Sequence, residues 1–408
     1  MDPSYDKYLS NVAKEIKASD IRELLAVIRK KPGVISFAGG LPDPATFPKK
    51  EISELAKYVI EEKGDLALQY SETKGILEVR EALSKFLQDT KNIRVDPEDI
   101  IITTGSQQAI DLVTKTFINP GDIVVTENPT YLASLGTFRI YGAKVHGITI
   151  DEHGIKTDLL EKEIKRIRSE GGRIKFIYVI PVAQNPSGVT MSIDRKKHLM
   201  EIASTHDLII FEDDPYSYFI YDEGVDTTIL KQLDKEGRVI YVSTISKIMA
   251  PGIRIGWIVS PPELTRRFEL VKQYLDLHSP TLNQYILAEA INRGLLKNHI
   301  SKLAPYYRVK RDAMIKSMDE YFSREETWYI KPVGGLFLMV YVYKKGFDAS
   351  NSLPIAIEKY GVAYVPGASF HTDGTGRNSM RLNFSYPSVE KIVEGVKRLN
   401  MLIRETAG

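Results

Sequence analysis

Cysteine is absent from all 408 residues. With it go disulfides, zinc–thiolate sites, iron–sulfur clusters and thiol nucleophiles. No run approaches the ~20 consecutive apolar residues that a membrane-spanning helix needs. The opening stretch, MDPSYDKYLSNVAKEIKASD, is polar and holds acidic residues. It lacks the apolar core of an export signal, so a cytoplasmic place and no membrane partner are expected. An excess of one charge is also missing: 55 Lys and Arg face 53 Asp and Glu, for a net charge of +2. Bulk charge therefore does not suggest a nucleic-acid partner. The seven histidines show no paired spacing such as H-x-x-x-H, so no metal site is expected. There is no 20–50-residue repeat and no low-complexity linker.

What is present is a chain with 43% hydrophobic residues, long enough to bury a large core without staples. Apolar runs rich in Ile, Val, Tyr and Phe fall at 100–104, 123–126, 144–150, 174–181, 208–212, 238–244 and 255–260. Continuous apolar runs of this length read as strands buried on both faces, as in a mainly parallel sheet. Between them lie helical patterns such as 107–117, 159–169 and 193–205. Strand–helix alternation predicts an α/β layer. It is expected to occupy residues 46–290 as a large domain with its central sheet flanked by helices. Residues 262–325 read as mostly helical; strand-like segments follow around 328–343 and 379–384, then a terminal helix. The helix pattern DIRELLAVIRK near the start has no strand beside it in sequence. The simplest closure joins 1–45 and 291–408 as a smaller α+β domain.

Four strand ends carry candidate chemistry. In TTGSQQAIDLV (103–113), Gly105 permits a tight turn before a helix starting near Gln107. A helix N-terminus offers free N–H groups to a phosphate, and Ser106 and Gln107 add donors. The same pattern also serves an ordinary connection with Ser106 as N-cap. In STISKIMAPGIRIGW (243–257), Lys247 follows a buried strand, with Thr244 and Ser246 before it and Arg254 after it. A desolvated Lys forms a Schiff base with a carbonyl, and the hydroxyls plus Arg254 suit a phosphate beside it. A strand-end Lys facing solvent is the plainer alternative. In FEDDPYSY (211–218), acids at a strand's C-terminal end face the crevice where open α/β sheets bind ligands, or merely cap a loop. In PVAQNPSG (181–188), Asn185 offers an amide to a ligand oxygen, or marks a plain turn. Taken together, a phosphate cradle, a lysine, an acid and an amide donor suit one cofactor, pyridoxal 5′-phosphate (PLP).

The chain resembles the fold-type I PLP-dependent aminotransferases of class I/II. The resemblance rests on ISFAGGLPDP (35–44), LQYSETKG (68–75), TTGSQQA (103–109), ENPTY (127–131), QNPSG (184–188), EDDPY (212–216), SKIMAPGIRIGW (246–257) and MRLNFS (380–385), in the family's order. KASDIREL (17–24) and DLHSPTLNQ (276–284) are most similar to 2-aminoadipate aminotransferases of lysine biosynthesis, with kynurenine and aromatic aminotransferases as near relatives.

The resemblance implies the PLP-transferase fold and a set of roles. Lys247 matches the Schiff-base lysine, which also moves the substrate proton. Asp213 matches the acid paired with the ring nitrogen; Asp214 is a neighbour without that role. Tyr216 and Asn185 match the donors to the ring hydroxyl oxygen, and Tyr131 the residue stacked on the ring. Ser106, Gln107, Thr244, Ser246 and Arg254 match the phosphate cup, where the family more often has Ser at the Thr244 position. Tyr70 matches a tyrosine that reaches the phosphate of the other subunit, which implies a homodimer with shared active sites. Arg381 matches the arginine that grips the substrate α-carboxylate, and Gly40 a glycine whose backbone nears the substrate. Arg22 matches a residue contacting the distal carboxylate of acidic substrates.

The implied reaction is ping-pong transamination between an L-amino acid (2-aminoadipate, glutamate or an aromatic residue) and a 2-oxo acid, with 2-oxoglutarate expected as the shared acceptor. PLP-dependent lyases use the same fold and most of the same residues. Some bacterial regulators carry an aminotransferase-like domain behind a helix-turn-helix domain, but the stretch before Ile35 is short for one and holds no basic recognition segment.

Overall fold

The computed structural model describes residues 5–16 and 20–406. Its fourteen strands are β1 (Ile35–Ser36), β2 (Ile100–Thr103), β3 (Ile123–Asn128), β4 (Lys144–Asp151), β5 (Gly154–Ile155), β6 (Ile174–Val179), β7 (Ile209–Asp213), β8 (Val239–Thr244), β9 (Gly256–Val259), β10 (Thr327–Tyr329), β11 (Phe337–Val342), β12 (Val362–Ala363), β13 (Val365–Pro366) and β14 (Ser379–Asn383). Its first six α-helices are α1 (Asn11–Glu15), α2 (Asp20–Arg29), α3 (Lys49–Ala67), α4 (Leu77–Lys91), α5 (Ser106–Phe117) and α6 (Leu132–Ile140).

Eight strands form the central sheet in the order β2-β9-β8-β7-β6-β3-β4-β5. All seven apolar runs of 100–260 contribute a strand to it. Strands β2, β3, β8 and β9 are buried at every position, as their unbroken hydrophobicity requires. The sheet is mainly parallel, as expected, with two strands reversed. The block β8-β7-β6-β3-β4 is parallel, but β9 runs antiparallel to both β8 and β2, and β5 antiparallel to β4. The reason is connection length. Only residues 245–255 join β8 to β9, with no crossover helix among them, whereas a parallel neighbour needs such a crossover.

Helices α3 and α4 fall where no element had been read. The buried face of α4 (Val79, Leu83, Phe86, Leu87) recurs at helical spacing and joins the main core. The long helix Leu295–Tyr321 and the terminal helix Val389–Thr406 pack together beyond the sheet.

A second, four-stranded antiparallel sheet has the order β10-β11-β14-β13. The single strand-like segment expected at 328–343 divides into β10 and β11. Gly335 between them has φ +73, and a Cβ there would lie 2.8 Å from Ala183 Cβ, so the chain turns instead of extending. The N-terminal segment meets this region directly: β1 pairs in parallel with β12. Leu24 of α2 packs with Ala38, Met339, Ile357, Ala363, Val365 and Phe370, so this helix does find a sheet to cover. Among the described residues, no helix is long and apolar enough to cross a membrane.

Candidate active site

A cleft of about 1430 Å³ opens where the C-terminal ends of β6, β7 and β8 meet the N-terminus of α5 and the second sheet. Its lining includes Arg22, Gly40, Ser106, Gln107, Tyr131, Asn185, Asp213, Tyr216, Thr244, Ser246, Lys247, Arg254 and Arg381. Thirteen of the fourteen residues singled out in the sequence therefore come together. The exception is Tyr70, which is 78% exposed and lies outside the cleft of its own chain.

The end of the cleft expected to take a phosphate is built from backbone shape. Helix α5 begins at Ser106, and its N-cap is Gly105 (φ +78), with no side chain capping the helix. Ser106 is thus the first helical residue and not the N-cap. A Cβ on Gly105 would lie 2.3 Å from Arg254 Nη2, and one on Gly256 would lie 2.8 Å from Ser106 N. Both glycines keep the approach to the helix terminus open. Arg254 Nη2 donates to Thr104 O at 2.9 Å. Thr244 Oγ1 donates to Ile255 O at 2.9 Å and lies 2.9 Å from Ser246 Oγ. The rise from Ser to Thr at position 244 leaves the hydroxyl in place beside the cup. Gln107 Nε2 donates to Thr137 Oγ1 at 3.0 Å.

At the C-terminal end of β7 are two adjacent acids with different surroundings. Asp214 accepts from Ser217 N, Ser217 Oγ (2.6 Å) and Tyr241 Oη (2.9 Å), which saturates it. Asp213 accepts only from Tyr178 Oη (2.8 Å) through Oδ2, while its Oδ1 is buried without a partner. Burial, opposed by the Tyr178 hydrogen bond and reinforced by Asp214, pushes Asp213 up to about 7. A buried carboxylate with one bare oxygen is the partner that a protonated ring nitrogen requires. The first acid of the pair, and not the second, faces the cleft.

Lys247 is half-buried, and its Nζ donates to Gly40 O at 2.9 Å. Desolvation, then the nearby Arg381 and Arg254 cations, lower its amine to about 8. Such an amine gives up its proton more readily than an ordinary lysine. A Cβ on Gly40 would lie 3.6 Å from Phe337 Cζ, an ordinary contact, so nothing within the chain demands glycine there.

Arg381 sits on β14 and is fully buried. Its Nη2 donates to Ala38 O and its Nη1 to Asn185 Oδ1, both at 2.9 Å, and Nε has no partner. Phe337 and Phe370 hold the guanidinium between their rings, 4.3 and 4.9 Å from its carbon. Desolvation lowers it to about 10. A buried cation with no carboxylate beside it is costly unless an anion completes it. Asn185 stands within hydrogen-bonding reach of Tyr216, whose hydroxyl is pushed up by burial, then by Tyr131. Arg22 is exposed at the cleft's outer wall on α2, with Arg29 on the same helix and Arg139 on α6. Among the described residues no cluster of His, Asp and Glu could hold a metal ion.

Several residues in or behind the site had no sequence signal. Phe337 lies in the strand-like segment 328–343, Phe370 in a stretch that carried no reading, and Tyr178 is hidden in the strand run IKFIYV. Glu127 of the ENPTY segment is buried, accepts from Ile180 N (3.0 Å) and Gln184 Nε2 (3.2 Å), and is pushed up to about 8 by burial.

The chain belongs to the aminotransferases of class I and II, whose family model matches residues 33–399. It is 45% identical over 401 residues to aromatic-amino-acid aminotransferase 1 of Thermococcus litoralis, covering 98% of this chain and 95% of that one. It is 36% identical over 403 residues to the 2-aminoadipate transaminase of Thermus thermophilus, covering 98% of each. The kynurenine aminotransferase of Pyrococcus horikoshii, solved in complex with PMP, superposes with a TM-score of 0.94 at 43% identity, covering 98% of each chain. The chain is an aminotransferase of fold type I, and its cofactor is pyridoxal phosphate.

Proposed function

We propose that this enzyme moves the amino group of aromatic 2-amino acids, 2-aminoadipate and glutamate to a 2-oxo acid, with 2-oxoglutarate as the common acceptor, in a ping-pong cycle. The observation that carries it is the pairing of a half-buried, easily deprotonated Lys247 with a buried Arg381 that lacks a carboxylate, in one cleft.

Pyridoxal phosphate, when bound, supplies an aldehyde that receives the amino group and a ring that stabilises the carbanion. Lys247 is the amine that would hold the aldehyde and would move the substrate's α-proton. Asp213 would pair with the ring nitrogen through its bare Oδ1. Tyr216 and Asn185 would donate to the ring hydroxyl oxygen, and Tyr131 would cover the ring. Ser106, Gln107, Thr244, Ser246 and Arg254 would hold the phosphate. Arg381 grips the α-carboxylate, and Gly40 leaves space beside it. A guanidinium fork matches a carboxylate in two parallel bonds, and so fixes the orientation of the α-carbon.

Two classes of side chain need one pocket. Arg22 stands on a helix lining the cleft, whose wall also includes the apolar Leu25 and Ile140. That mixture supports a pocket that accepts a distal carboxylate or an aromatic ring. The relatives' names, one for aromatic amino acids and one for 2-aminoadipate, support both.

A homodimer with shared sites fits the surface. Leu66, Leu68, Tyr70, Leu77, Tyr274 and Leu277 are all exposed, and the Tyr70 ring lies 5.7 Å from that of His278, so the two segments adjoin. An apolar strip of this kind marks an association surface.

The test is the absorbance spectrum of the holoenzyme. Adding L-2-aminoadipate, or L-phenylalanine in a parallel cuvette, should abolish the visible band, and 2-oxoglutarate should restore it. Product that forms over many turnovers without any added 2-oxo acid would make the enzyme a lyase and end this reading.

A further inference from the structure

Strands β6 and β7 are parallel neighbours, with Tyr178 opposite Phe211 and Val179 opposite Glu212. This register carries the Tyr178 hydroxyl to the Asp213 carboxylate at the C-terminal end of β7. The Tyr178 ring is fully buried and wedged edge-on against Phe138 (5.3 Å) and Phe211 (5.2 Å). Its position is fixed by packing, and its hydroxyl must donate, because an ionised carboxylate only accepts. Tyr178 is not among the residues lining the cleft.

A second pair has the same chemistry one residue along. Tyr241 Oη donates to Asp214 Oδ2 at 2.9 Å, and Tyr241 is also fully buried. There, however, Ser217 supplies two further donors and no oxygen is left over. Only the Tyr178–Asp213 pair leaves one buried oxygen bare.

We propose that Tyr178 is a positioning residue for the cofactor's ring nitrogen: its hydroxyl occupies Oδ2 of Asp213 and so reserves Oδ1 for that nitrogen. The inference rests on the assignment of Asp213 to the ring nitrogen. Two physical effects follow from one bond. The carboxylate is held in a single rotamer with Oδ1 towards the cleft. The hydrogen bond also stabilises the ionised form against burial, and an ionised carboxylate is what keeps the ring nitrogen protonated. Removing the hydroxyl leaves Asp213 as a buried carboxyl with no side-chain donor among the described residues.

The experiment compares Tyr178→Phe, Tyr241→Phe and Asp213→Asn with the wild type. Each holoenzyme is reconstituted with PLP labelled with ¹⁵N in its ring, and the ring nitrogen is titrated by NMR. PLP dissociation from each apoprotein is measured separately, and thermal melts verify folding. In Tyr178→Phe the nitrogen should lose its proton at least one pH unit lower than in the wild type. PLP should bind roughly tenfold more weakly, and kcat should fall roughly tenfold with the amino-acid KM within about twofold. Tyr241→Phe should leave the nitrogen's titration unchanged. A Tyr178→Phe enzyme that titrates like the wild type, or a Tyr241→Phe enzyme that shifts equally, overturns the proposal. Asp213→Asn separates the two readings: no effect there removes the assignment of Asp213, whereas an effect there without one in Tyr178→Phe removes only the role of Tyr178.

Discussion

Arg381 Nη1 donates to Asn185 Oδ1 across 2.9 Å, which ties a strand of the second sheet to the turn after β6 of the first. Through this bond the group expected to bind the substrate carboxylate is oriented by a group expected to bind the cofactor. Substrate and cofactor positions are therefore coupled by a single amide.

Arg381→Lys keeps the charge but loses the fork. Two charge-assisted bonds reduced to one point contact cost ~3 kcal/mol, so kcat/KM should fall about 100-fold for aromatic and acidic donors alike. Steady-state kinetics on L-phenylalanine and L-2-aminoadipate check it. A loss confined to one substrate class would place Arg381 on the side chain and not on the α-carboxylate.

Arg22→Ala should separate those classes. Arg22 is exposed, so its attraction for a distal carboxylate is screened and worth ~1 kcal/mol. The expected result is about a fivefold loss of kcat/KM for 2-aminoadipate and glutamate, with aromatic donors nearly unchanged. Equal losses on both would remove Arg22 from substrate recognition.

Gly105→Ala should damage cofactor binding more than its backbone strain explains. Gly105 and Gly121 both have positive φ, but a Cβ on Gly105 would meet Arg254 Nη2 at 2.3 Å, whereas one on Gly121 would meet nothing within 4 Å. Both variants should lose ~1–2 kcal/mol of stability from the left-handed backbone. Only Gly105→Ala should also bind PLP at least about tenfold more weakly, because Arg254 and the start of α5 shift. Calorimetric titration of each apoprotein with PLP distinguishes them.

The apoprotein should lose stability as pH rises from about 4 to about 7. Asp213 is pushed up to about 7, so the folded state keeps a proton that the unfolded chain, near 3.8, has already released. Stability from this group is present below the unfolded value and lost by the folded one. Glu127 and Glu212, each raised to about 8 by burial, add slopes of the same sign. Asp213→Asn should therefore reduce the fall by ~3 kcal/mol without abolishing it. Urea denaturation of both apoproteins at pH 5 and pH 8 measures the difference. Equal falls in the two proteins would mean that Asp213 stays ionised throughout.

Tyr70 should act across the dimer. Lys247→Ala and Tyr70→Ala chains, each nearly inactive alone, should regain activity when denatured and refolded together. A hybrid dimer then holds one site with both residues intact, for about a quarter of the wild-type rate under random mixing. No recovery would place Tyr70 in the site of its own chain or outside both.

The local chemistry of this protein was legible in its sequence. Unbroken apolar runs marked the seven strands between 100 and 260, because burial on both faces leaves no polar alternation. Gly105, Lys247, Asp213 and Asn185 each stood just past such a run, where a strand end places side chains at a crevice. The antiparallel entry of β9 was not legible, because strand direction depends on how a connection returns through space. Nor was the aromatic clamp on Arg381, whose two rings come from residues 337 and 370 and meet the guanidinium only when β11, β14 and the turn after β13 assemble. The sequence could rank Asp213 over Asp214 only by resemblance. Tertiary structure distinguishes the two physically, by surrounding Asp214 with three donors and leaving one oxygen of Asp213 bare. Hydrogen-bond saturation belongs to neighbours distant in the chain, and no local pattern records it.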